Sequence, residues 1–149
     1  MIPRRFARDL ALVLAGFGVL VWGGTRWVAV PWLVRGASME PTLREGDRVI
    51  VDLWSTRHRP PRPGEIVVFR GPNGDDLVKR IARDPGPGGR PYPASVFRPS
   101  DPLGSSYVVL GDNPAASEDS RTFGPVPRER IRGRIAWRYW PLSRVGAIE

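Results

Sequence analysis

The beginning of this chain constrains it most. Leu10 to Thr25 (LALVLAGFGVLVWGGT) runs for 16 residues without a charge, behind Arg4, Arg5 and Arg8. At about 1.5 Å per residue, such a helix covers roughly 24 Å, a little short of the ~30 Å hydrocarbon core of a bilayer. Arg26 interrupts, and Trp27 to Val34 (WVAVPWLV) follows. An arginine at that depth can snorkel to the far interface, with Trp22, Trp27 and Trp32 as an aromatic belt. The basic start and apolar run also suit a cleavable signal peptide, but no A-x-A-like site follows the run, which favours an uncleaved anchor. The basic flank, opposed by Asp9 alone, orients the chain: residues 1–9 in the cytoplasm, 10–34 as a single membrane anchor, and 35–149 on the extracytoplasmic side. What folds in water is then one domain.

Composition narrows what that domain does. There is no cysteine and one histidine, His58, which excludes a disulfide framework, a thiol nucleophile and thiolate zinc, and leaves a histidine metal site hard to build. No metal or cofactor is expected. The net charge of +8 suits an anionic partner such as a phospholipid surface. The arginines are spread without an aromatic-interleaved stacking motif, so nucleic acid is not expected. Of 23 basic residues, 22 are arginine and one is Lys79. Arginine stays protonated in proteins, whereas a buried lysine loses its proton and becomes a base.

The domain reads as mainly β. Asp47–Leu53, Glu65–Arg70, Asp76–Arg83 and Ser106–Leu110 are short, rich in Val and Ile, and bounded by Gly, Pro or Asp turns. Arg130–Tyr139 alternates Ile131, Gly133, Ile135 and Trp137 against Arg132, Arg134 and Arg138, the pattern of a half-exposed strand. Ser55–Gly64 and the Pro- and Gly-rich stretch Asp84–Gly104 read as connectors. No ten-residue helical period follows the anchor.

Three clusters carry chemistry. Gly36-Ala37-Ser38-Met39-Glu40-Pro41-Thr42-Leu43 presents a serine in a proline-punctuated turn. Val78-Lys79-Arg80-Ile81 places the lone lysine within a strand, where alternation puts it on one face with Leu77 and Ile81. Gly111 to Arg121 (GDNPAASEDSR) is dense in turn formers and hydroxyls, with a potential Asp119–Arg121 pair. A serine hydroxyl is a poor nucleophile until a neighbouring base takes its proton, and a neutral lysine does this in Ser–Lys variants of the triad logic. His58, in an Arg/Pro-rich stretch, is a poor rival base. Asp112 and Asn113 read as turn formers.

SMEPTL, the lysine of VKRI, and GDNPAASEDSRTFGPV together resemble the three signature boxes of bacterial type I signal peptidases, in order and behind an N-terminal anchor, across residues 36–126. The resemblance implies an antiparallel β-sheet or barrel catalytic domain in the bacterial cytoplasmic membrane, with no cofactor, acting on signal-peptide-bearing preproteins. It implies Ser38 as nucleophile, Lys79 as general base, Ser117 as a hydroxyl that orients the lysine, and Asp119 with Arg121 as a brace. Met39, Trp27 and Trp32 are candidates for the apolar surface that meets the membrane or lines substrate pockets. Gly36 stands where many members have a serine that helps hold the oxyanion, leaving the Ser38 N–H, with room for other donors, to do so. The lysine box continues Pro85-Gly86-Pro87 in place of the usual Pro-Gly-Asp, Pro114-Ala115-Ala116 replaces a more polar stretch, and there is no room for the inserted cap of longer members. Two other readings compete. Small members of this clan mature one dedicated substrate, such as a pilin or a metalloenzyme precursor; a basic, membrane-tethered β domain without catalysis is the non-enzymatic option.

Overall fold

The computed structural model describes residues 13–19, 29–82 and 106–148. Residues 13–19 form a helix, α1, with exposed side chains. Among the described residues no helix is long and apolar enough to cross a membrane. The rest of the 10–25 run, Trp22, Arg26, Trp27 and the whole Asp84–Gly104 connector lie outside the described residues.

The described domain is antiparallel β. Its strands are β1 (Ala29–Leu33), β2 (Arg48–Asp52), β3 (Ile66–Arg70), β4 (Asp76–Ile81), β5 (Ser106–Tyr107), β6 (Val109–Leu110), β7 (Val126–Pro127), β8 (Ile131–Trp140) and β9 (Gly146–Ala147). The main sheet runs β1-β2-β8-β3-β4-β6 with β9 alongside β8, and β5 pairs with β7 separately. The expected Ser106–Leu110 strand is divided at Val108, its halves pairing with β7 and β4.

Strand β3 shows why the sheet holds. Ile66 and Val68 enter one core, with Val34, Met39, Leu43, Val49, Val51 and Ile135. Val67 and Phe69 enter a second core on the other face, with Ile81, Val109 and Val126. A central strand covered on both faces reads as a continuous apolar run, and each such side chain stabilises by about 1.5–3 kcal/mol when buried.

Three sequence expectations change. Ala29–Leu33, placed within the anchor, is a strand that among the described residues sits at the sheet edge, paired only with β2. Val30 and Trp32 pack against the first core while Pro31 is exposed, which suits a residue that cannot donate a ladder bond. Leu53–His58, expected within or beside a connector, forms a six-residue helix, α2. Asp52 caps it by accepting from the Ser55 N–H at 3.0 Å, a local signal too short to show as a period. Finally, the alternation in β8 fails toward both ends: Ile131 packs against the second core, after a register shift against β3, while Ile135 lies in the first. Ile50 and Val51 on β2 pair with Trp137 and Ile135, so Ala136 is an extra residue that bulges from the ladder. Beyond it the faces exchange: Trp137 is exposed, and Arg138 lies opposite buried Val49.

Candidate active site

Ser38 lies in the loop between β1 and β2. Gly36 opens the turn at φ +76°, a left-handed conformation that glycine adopts without a Cβ clash. Met39 and Leu43, 1% and 0% exposed, pin the turn into the first core, and the Leu43 N–H donates to the Met39 carbonyl at 2.8 Å. Ser38 itself is half-buried.

Lys79 comes from β4, opposite Val67 and on the face of the second core, as alternation predicts. Its residue is 3% exposed, yet Nζ is 2.8 Å from Ser38 Oγ, and among the described residues Ser38 is its hydrogen-bond partner. Burial pushes the ammonium below its ordinary range, against the opposing charges of Asp119 and Glu118. A serine hydroxyl and an amine of lowered pKa are thus in hydrogen-bond contact, an arrangement that suits proton transfer.

The third cluster docks on this pair. The Asn113 N–H donates to the Ser38 carbonyl at 3.0 Å, and Asn113 Nδ2 to the Ala37 carbonyl at 3.2 Å. Asp119, fully buried, accepts from the Gly111 N–H and the Ser117 hydroxyl, each at 2.9 Å, and from Arg121 Nη2 at 2.6 Å. Burial raises its carboxyl. Arg121, the Gly111 and Arg121 amides and the Ser117 hydroxyl outweigh that and hold its pKa down at about 2. Ser117 therefore contacts the brace; the bond to Lys79 implied by resemblance is not made among the described residues.

Two contributors were missed by reading Asp112 and Asn113 as turn formers. Arg80, on the opposite face of β4 from Lys79, forks onto Asp112 at 2.9 and 2.8 Å and reaches the Gly64 carbonyl at 2.7 Å. A half-buried arginine directly after the lysine was the available sign that an anion must meet it. Met39, offered as a pocket residue, is chiefly a core residue that also lines a cleft. His58 ends α2, exposed and stacked on Trp54, away from the dyad's clefts.

Two clefts converge on Ser38 and Lys79. One, of about 560 Å³, runs between the β1 end, including Trp32 and Val34, and Leu77 and Val78 of β4. The other, of about 470 Å³, lies toward Pro72, Ala116, Glu118 and Phe123. Among the described residues no group of His, Cys, Asp and Glu side chains is arranged to hold a metal.

The sequence matches the family described as signal peptidase, peptidase S26, over residues 7–87 and 103–140. This chain belongs to that family. Signal peptidase relatives match most of its length. It is 36% identical to the probable signal peptidase I-2 of Synechocystis sp., over 98% of this chain and 79% of that protein. It is 30% identical to signal peptidase IB of Staphylococcus aureus, over 79% of this chain and 81% of that one. The matched ranges include Ser38, Lys79, Asp119 and Arg121.

Proposed function

We propose that the chain is a membrane-bound serine endopeptidase that removes N-terminal signal peptides from exported preproteins. The observation that carries this is a lysine amine 3% exposed and 2.8 Å from a reachable serine hydroxyl. Neutral Lys79 takes the Ser38 proton as Oγ attacks the scissile carbonyl. The oxyanion is met by the Ser38 N–H, which makes no hydrogen bond among the described residues. The Lys79 ammonium then gives its proton to the leaving amine, and a water deprotonated by the same amine hydrolyses the acyl-enzyme.

An extended substrate fits the larger cleft. Among the described residues, strand β1 is paired on one side only, and β4 meets β6 only at Arg80 and Ile81. The free edges of β1 and of residues 76–79 border the cleft, so a strand laid between them gains ladder bonds on both sides. Residues ahead of the scissile bond occupy this cleft, and those after it run toward Glu118 and Phe123. β1 begins at Ala29, so an anchor confined to the residues before it holds the cleft near the membrane face where preproteins emerge.

The test is cleavage of a preprotein with an Ala-x-Ala site by the detergent-solubilised full chain. Wild type should cut at that site, while Lys79→Arg and Ser38→Ala, both folded, should not. Turnover by Lys79→Arg at the wild-type rate would overturn the mechanism. Absence of cutting by folded wild type would overturn general signal-peptide processing in favour of one dedicated substrate.

A further inference from the structure

The loop bearing Ser38 is gripped from a direction that the three clusters do not supply. Residues 34–47 contain no strand, and their two ends are tied by Val34 N–H to Asp47 carbonyl and Gly46 N–H to Val34 carbonyl bonds, 2.9 and 3.0 Å. Asp47 is 2% exposed. Its carboxylate accepts from Arg144 Nη1 at 3.0 and 3.1 Å, from Arg138 Nη1 at 3.4 Å and from the Arg44 N–H at 3.0 Å. The same guanidiniums reach onward. Arg138 donates to the Thr42 carbonyl at 2.8 Å, and Arg144 Nη2 to the Thr42 and Pro41 carbonyls at 3.1 and 3.3 Å. Arg138 also donates to the Arg144 carbonyl at 2.5 Å, fixing the two arginines to each other. Arg138 faces this site only because the bulge at Ala136 turns it inward.

We propose that Arg138 and Arg144, joined through buried Asp47, are positioning residues for the nucleophile. They hold the carbonyls of Pro41 and Thr42, three and four residues after Ser38, while Arg80 approaches the Thr42 hydroxyl at 3.4 Å from the lysine strand. Thr42 is thereby fixed between the C-terminal segment and β4, which sets how closely Ser38 Oγ approaches Lys79 Nζ. The forked guanidinium is essential here, because each arginine satisfies an anion and a carbonyl at once, which a lysine ammonium does not do in a fixed plane. This inference rests on the Ser38–Lys79 reading of the site.

Lys79 is the only lysine, so [15N]lysine labelling yields one side-chain resonance that reports on the dyad without substrate. In the full chain in detergent, Arg144→Ala and Arg144→Lys should both shift that resonance. Each should lower kcat on an Ala-x-Ala preprotein by about tenfold to a hundredfold, with KM within about threefold, as a displacement near 1 Å predicts. Methylguanidinium should restore part of kcat and return the resonance in Arg144→Ala, and Arg144→Lys should keep the wild-type melting temperature. An unchanged resonance and kcat in folded Arg144→Lys would overturn the proposal. So would a loss of activity in Arg144→Ala that only tracks its unfolded fraction. A shifted resonance alongside a wild type that cuts nothing would uphold the positioning role and sink the peptidase reading instead.

Discussion

Replacing Gly111 with alanine should cripple this site although it adds one methyl group. A Cβ at 111 would stand 2.1 Å from Ser117 Oγ, 2.5 Å from Ser117 Cβ and 2.6 Å from the Ser38 carbonyl oxygen. Rotating the Ser117 hydroxyl away breaks its bond to Asp119 and still leaves the Ser117 Cβ contact. The Ser38 carbonyl is backbone and is held by the Asn113 N–H at 3.0 Å, so it has little freedom. Reaching ordinary van der Waals separation requires a movement of about 0.8 Å between the 111 strand end and the nucleophile turn. Lys79 is fixed in β4, so that movement opens the 2.8 Å contact between Nζ and Oγ. A misplacement of this size costs about a hundredfold in rate, or about 2.7 kcal/mol of barrier, and overpacking costs the fold about 1–3 kcal/mol.

The matched control is Gly36→Ala. A Cβ there meets nothing within 4 Å, but the backbone is at φ +76°. Its cost is the roughly 1–2 kcal/mol of a left-handed alanine, with no steric push on the dyad. Measuring kcat, KM and melting temperature for both variants separates the two effects. Gly111→Ala should lose far more kcat than its stability loss explains, whereas Gly36→Ala should lose mainly stability. If Gly111→Ala keeps kcat within threefold of wild type and melts normally, the close docking of the third cluster on Ser38 is not what aligns the nucleophile.

Two further outcomes concern protonation. In the proposed mechanism neutral Lys79 is the working form, and burial lowers its pKa, so kcat/KM should rise with pH through that value; Glu118→Gln removes an opposing anion and should move the limb to lower pH, read from pH–rate profiles and the [15N]lysine titration, and an unmoved limb would refute the influence of Glu118. Asp119, held at about 2 against an ordinary 3.8, contributes about 2 kcal/mol of stability that is complete above pH ~4 and lost as pH falls toward 2; Asp119→Asn should be less stable at pH 7 and show a flatter acid denaturation curve.

What was legible in the sequence was what is local. Lys79 could be assigned a face because a strand alternates, and Asp119 could be paired with Arg121 because they lie two positions apart. Asp112 and Asn113 take their meaning from Arg80 and Ala37, 32 and 76 residues away, and a turn former in isolation gives no hint of either. Ala29–Leu33, read within the anchor, was misplaced for a different reason. A short apolar run is equally compatible with membrane and with sheet, and only Pro31, tolerated at a sheet edge, separates the two readings. The inversion in β8 is the most consequential miss. Counting by twos placed Trp137 inside and Arg138 outside, and one bulged residue reversed both. Nothing in RIRGRIAWRYW marks Ala136 as unpaired, since the bulge is set by the register against β2. The exchange removes a tryptophan from the core, where it would have added burial, and puts in its place the guanidinium that reaches Asp47 and the Thr42 carbonyl. A fold selected for stability alone has no use for that exchange. A site that must hold a serine at hydrogen-bond distance from a buried amine does.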